Sequence, residues 1–93
     1  MENLLPDNTD LILGYFGRLT KEVIKSDANV KLSIGTITEN ICVEFLHYSD
    51  YYEYGNKTLT FYHFSSEEKL ARQESIAIDV LQNNGVIKEE DQL

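Results

Sequence analysis

Two histidines, one cysteine and a knot of tyrosines are the residues with the most chemistry to offer. His47 and His63 sit in apolar stretches. A pair of imidazoles makes a metal site only when a carboxylate, a thiolate or water completes the shell. If Phe45 pairs near Phe61 across two strands, both histidines point to one face, and alternation sends Glu44 to the other. No third ligand is then in view, so neither a metal nor any other cofactor is expected. Cys42 is the only cysteine, which excludes an intrachain disulfide and a CxxC site. Its setting, Ile41-Cys42-Val43-Glu44-Phe45, reads as a strand, and the thiol is expected to be buried and inert. A Cys42–His47 dyad fails on geometry, because five residues along a strand span ~16 Å and end on opposite faces. There is no GxSxG elbow and no glycine-rich phosphate loop. The carboxylates form no pair that a pocket would clearly desolvate, so no enzymatic activity is expected.

The segment Tyr48-Ser49-Asp50-Tyr51-Tyr52-Glu53-Tyr54 carries four of the six tyrosines beside two acids. Tyrosine is a rigid amphipathic anchor that is enriched at protein interfaces. One reading is a long hairpin whose tyrosines line the sheet on alternate sides. The other is an exposed aromatic and acidic tip that docks into a basic groove of another protein. There the acids pair with Lys or Arg that otherwise hold phosphates, and the rings take the place of stacked bases. On the second reading the docking surface comprises Tyr48, Asp50, Tyr51, Tyr52, Glu53 and Tyr54, extended by Glu44, Glu67 and Glu68.

Charge supports an acidic surface of this kind. The 93 residues carry 16 acids against 8 Lys and Arg, a net −8. The excess is regional: four basic residues and five acids precede residue 37, and four basic residues and eleven acids follow, giving −1 and −7. A domain that grips phosphate backbones needs the opposite sign, so direct nucleic-acid binding is not expected. Arg18, Lys21 and Lys25 share one helix face, as a solvated back or as a contact for an anion or an acidic partner.

These residues must be held by a small number of elements. The length supports one domain with one modest core, spanning residues 1–93. A helix is expected over about residues 8–26: Asp7, Asn8 and Thr9 offer cap oxygens, and Ile12, Phe16, Leu19 and Val23 recur at three- and four-residue spacings. Gly14 and Gly17 inside it mark either a close approach of another element or a tolerated weakness. Strands are expected at about 30–35, 41–48 and 58–64, the second apolar on both faces and therefore central or covered. A second helix is expected over about 66–84, with Ser65 and Glu68 as a capping box, Gly85 at C′ and Val86 at C″. The acidic tail 88–93 is expected to fray. Sequential strands with short loops give an antiparallel meander, and two amphipathic helices bury their stripes on it. The fold class is α+β, helix-strand-strand-strand-helix, a two-layer sandwich with a three-stranded antiparallel sheet. No basic segment precedes a long apolar one at Met1-Glu2-Asn3-Leu4-Leu5-Pro6, and no apolar run approaches the ~20 residues that cross a bilayer. A cytoplasmic protein without membrane contact is expected.

The element order resembles that of the double-stranded-RNA-binding domain, with Ser65 to Leu81 in the place of that domain's second helix. The basic residues expected at the start of that helix are here Glu67 and Glu68, followed by a single Lys69, so the resemblance is one of topology and carries no RNA chemistry. In size, acidity and layout the chain resembles small phage-encoded inhibitors of host defence, including anti-CRISPR proteins. That resemblance implies a stoichiometric inhibitor without catalytic residues, a nucleic-acid mimic that occupies the DNA- or guide-binding channel of a nuclease or CRISPR effector in the host cytoplasm. The alternative is a small structural or accessory subunit of a phage or bacterial assembly, a homodimeric module in which a second copy covers a strand edge or a helix face.

Overall fold

The computed structural model describes residues 5–92. Residues 1–4, which carry most of the reading of the amino terminus, and residue 93 of the tail lie outside the described residues. The elements run α1 (Thr9–Lys25), β1 (Val30–Ile37), β2 (Asn40–Tyr48), β3 (Asn56–Tyr62) and α2 (Glu67–Asn83), with a closing 3-10 turn (Glu89–Gln92). The sheet is an antiparallel meander in the order β1-β2-β3. The α+β class and the topology expected from the sequence are those observed.

Strand register decides what faces what. Val43 lies opposite Phe61, and Phe45 opposite Leu59. These four side chains share one face and are fully buried there with Ile12, Tyr15 and Leu19 of α1 and Leu70, Ala77 and Val80 of α2. Both helices therefore bury their stripes on the same side of the sheet. α1 lies mainly under β1 and β2, and α2 lies under β3. Polar contacts fix the two helices side by side: Arg18 pairs with Glu74 at 3.0 Å, the Gln82 amide donates to Glu22, and the Ser26 hydroxyl donates to the carbonyl of Leu81.

The boundaries shift by small amounts for local reasons. β1 runs on to Ile37, because Thr38 and Glu39, both at positive φ (50° and 68°), make a tight two-residue turn straight into β2. β3 starts at Asn56 and ends at Tyr62, earlier at both ends than expected. The α2 cap is Ser66, whose hydroxyl accepts from the Lys69 N–H; Ser65 is instead buried, its carbonyl taken by the Asn8 amide. The cap is thus displaced by one residue, and with Lys69 at N3 the expected Ser65–Glu68 capping box does not form. At the other end Asn84, not Gly85, adopts the left-handed conformation, with φ 56°. At Gly85 a Cβ would meet the Asp79 carboxylate, which would have to swing aside. The tail does not fray over its described part. It folds back as the 3-10 turn, where Gln92 donates to the Thr58 carbonyl and Arg72 approaches Asp91 at 3.5 Å. Among the described residues, no helix is long and apolar enough to cross a membrane.

Candidate protein-binding site

The seven residues between β2 and β3 form a compact, self-bonded loop. Ser49 N–H donates to the Gly55 carbonyl, Tyr52 N–H to Ser49, and Gly55 N–H to Tyr52, at 3.0, 3.2 and 3.0 Å. Gly55 supplies the φ of 81° that brings the chain back into β3. Within this frame the tyrosines diverge. Tyr51 and Tyr54 are 74% and 83% exposed, and Tyr48, the last residue of β2, is 40% exposed. Tyr52 is 4% exposed and points inward.

Tyr52 is the anchor that makes the loop rigid. Its hydroxyl accepts the Ile87 N–H at 2.7 Å and lies 2.8 Å from Nδ1 of His47. The oxygen receives the Ile87 proton and has its own proton to give to Nδ1 of His47, a pairing that calls for a neutral imidazole protonated at Nε2. Burial lowers the pKa of His47 and raises that of the Tyr52 phenol, the latter offset by the Ile87 hydrogen bond. The His47 ring meets the Tyr52 ring edge-on at 5.4 Å, and Tyr51 stacks edge-on from the other side at 5.9 Å. One buried phenol thus ties β2, the loop and the segment after α2 together. Tyr52 belongs to the core and leaves the list of expected docking residues: a ring with its only polar atom doubly bonded inside the fold has nothing to offer a partner.

The remaining candidates fall into separate groups. Asp50 and Glu53 are exposed on the loop beside Tyr51 and Tyr54. Glu44 lies at mid-strand on the sheet face that carries no helix, between Ser33 and Thr60. Glu67 and Glu68 are exposed in the first turn of α2, which follows the opposite end of β3, ~20 Å of strand away from the loop. They do not join the tyrosines on one patch. In their place the fold brings up residues of the C-terminal segment. Tyr51, Glu53 and Tyr54 line an open cleft of about 640 Å³ with Lys57, Lys88 and Glu89. Lys57 follows the loop directly in the chain, but no sequence signal pointed to Lys88 or Glu89 as its neighbours, because that link is made by the backbone of Ile87.

The other candidates take ordinary places. His63 does share the face of His47, but at the far end of the sheet, with Asn40 and Asp7 near its ring at 3.3 and 3.6 Å. Cys42 is 1% exposed between Gly35 and Tyr62, and burial raises its thiol pKa, with the Glu44 charge adding to the rise. Among the described residues no three His, Cys, Asp or Glu side chains gather as a metal would need. Gly14 has only the Arg18 guanidinium nearby, and Gly17 has open space, so among the described residues neither glycine marks a close approach. Comparison of the chain with protein families, with curated proteins and with solved structures finds no match.

Proposed function

We propose that the protein is a non-enzymatic, protein-binding inhibitor whose docking surface is the loop end of the sheet. Tyr51 and Tyr54 act as rigid aromatic anchors, Tyr48 flanks them, and Asp50, Glu53 and Glu89 supply negative charge. The partner is a basic surface of a nucleic-acid-binding protein or nuclease. Its Lys and Arg side chains, placed for phosphates, meet the carboxylates, and the phenol rings fill space that bases occupy. The observation that carries this reading is the exposure of two tyrosines on a loop that a third, buried tyrosine immobilises. A loop backbone held in place in the free protein loses little freedom on binding, which favours affinity. Lys57 and Lys88 in the same cleft restrict the complementarity: the partner must place its cations over Asp50 and Glu53 rather than over the cleft floor.

The test is capture of partners from a bacterial lysate at low and high salt, followed by titration of the identified complex. The affinity is expected to fall steeply with ionic strength. Asp50→Lys combined with Glu53→Lys should abolish binding, and Tyr51→Ala or Tyr54→Ala should weaken it by about tenfold or more, the loss of a significant interface contact. An affinity that is flat across the salt series and indifferent to the charge reversals overturns the proposal.

A further inference from the structure

The two edges of the sheet are finished differently. On β3 three of the four outward carbonyls are occupied: Thr58 by the Gln92 amide, Thr60 by the Gln73 amide at 2.9 Å and Tyr62 by the Ser65 N–H at 3.1 Å; that of Asn56 and the outward N–H groups have no partner among the described residues. On β1 the outward carbonyls are not occupied. Tyr48 N–H bonds to Asn29, and the register then turns the peptide groups of Lys31, Ser33, Gly35 and Ile37 toward β2. The N–H and C=O groups of Leu32, Ile34 and Thr36 face outward, and among the described residues no hydrogen bond reaches them. β1 is eight residues long, has no proline and carries one charge, Lys31. Apart from Lys31, one residue from its start, it lacks the devices that ordinarily discourage strand pairing at an edge.

The helix beneath this edge is open as well. Arg18 and Glu22 mark the flank of α1 that meets α2. Leu13, Thr20 and Ile24 lie roughly 160–200° round the helix from Glu22, on the side of the β1 edge. Leu13 is 47% and Ile24 78% exposed, and Ile34, on the helix side of β1, is 41% exposed. Gly17 sits in the middle of this stripe with nothing within 4 Å of the position a Cβ would take. The result is an apolar band, low at its centre, running along an unpaired strand.

We propose that this edge pairs with the β1 edge of a second copy of the chain, antiparallel, to give one continuous six-stranded sheet with the two α1 flanks packed beneath the joint. A second copy is favoured by charge and by pattern. The excess acid of this chain lies after residue 36, whereas β1 has no carboxylate, and the flank of Leu13, Gly17, Thr20 and Ile24 has one, Asp10, at its amino-terminal end. Two copies each of net −8 can therefore meet here with few acids near the contact. The outward groups fall on alternate residues, so antiparallel pairing satisfies them reciprocally and sets Leu32 and Ile34 against the same residues of the partner on the helix side. The band then becomes a self-complementary two-fold contact of the kind closed dimers use.

Sedimentation equilibrium of the full chain from micromolar to millimolar concentration should show a species of twice the 10.7 kDa chain mass. Ile34→Lys and Ile24→Glu, both at exposed positions, should each raise the dissociation constant roughly thirtyfold or more, as a central interface residue does, with the circular dichroism unchanged. Tyr54→Ala, outside the contact, should leave it as it is. The amides of Leu32, Ile34 and Thr36 should gain protection from hydrogen exchange as the concentration of the wild-type chain rises, a reading that needs no variant. A mass of 10.7 kDa at every concentration, or a dimer indifferent to both charges, or edge amides that exchange freely in the dimer, overturns the proposal. The loop-end reading is independent of it and survives that failure.

Discussion

The side chain on which most depends is Tyr52. Its hydroxyl serves two buried partners, Ile87 N–H and His47 Nδ1, so its removal leaves both without one. Tyr52→Phe should therefore destabilise the protein by about 1–3 kcal/mol, the cost of unsatisfied buried groups, measured by urea unfolding. The same change should raise the exchange rate of the Ile87 amide more than that of Leu70 in mid-core. His47 gives the pair a pH dependence with a definite sign. Burial lowers its folded pKa below the ordinary 6.5, so between those two values the unfolded chain binds a proton that the folded chain does not. Its contribution is fully present above about pH 6.5 and is lost progressively as the pH falls from there to the folded value. Unfolding free energies measured from pH 8 to pH 5 should fall over that window, and His47→Gln should flatten this part of the profile. Protonation at Nδ1 also turns an acceptor into a donor and strands the Tyr52 hydroxyl proton. Acid should thus loosen the loop that presents Tyr51 and Tyr54.

Among the elements, the β1–β2 turn carries backbone strain with no visible use. Thr38 and Glu39 both hold positive φ without being glycine, and threonine, branched at Cβ, is poorly suited to it. Thr38→Asn with Glu39→Gly should stabilise the protein by about 1 kcal/mol, read from the urea midpoint at constant m-value. The strain was not legible beforehand, since nothing in Gly35-Thr36-Ile37-Thr38-Glu39-Asn40 distinguishes a tight turn at residues 38 and 39 from a looser one begun by Gly35. Elsewhere the periodicities were strong enough. The alternation of Val30, Leu32 and Ile34 and the three- and four-residue spacing in both helices set element type and order, because burial of a stripe acts on many residues at once. Helix caps were legible only to within one residue: Ser65 and Ser66 are chemically alike, and the Asn8 bond to the Ser65 carbonyl, fifty-seven positions away, decides between them. The candidate site was legible in composition and not in orientation. A loop has no period, so no spacing rule tells which of Tyr51, Tyr52 and Tyr54 turns inward. That choice is made by Ile87, which lies beyond α2.

At the scale of the whole molecule, the protein has a loop end with exposed rings, a sheet face with no helix on it, and two edges in opposite condition. The finished β3 edge has a bearing on assembly. A subunit with two open edges adds neighbours on both sides and grows into a ribbon; one with a single open edge stops at a pair. Gln73 and Gln92 each spend an amide on an outward β3 carbonyl and, with the Ser65 N–H on Tyr62, block three of the four places where a new strand could donate to this edge. Gln73→Ala with Gln92→Ala should uncover it, and concentrated solutions should then scatter light and bind amyloid dyes while wild-type solutions stay clear. Two ordinary glutamines would in that case mark the difference between a terminating contact and an open-ended fibre.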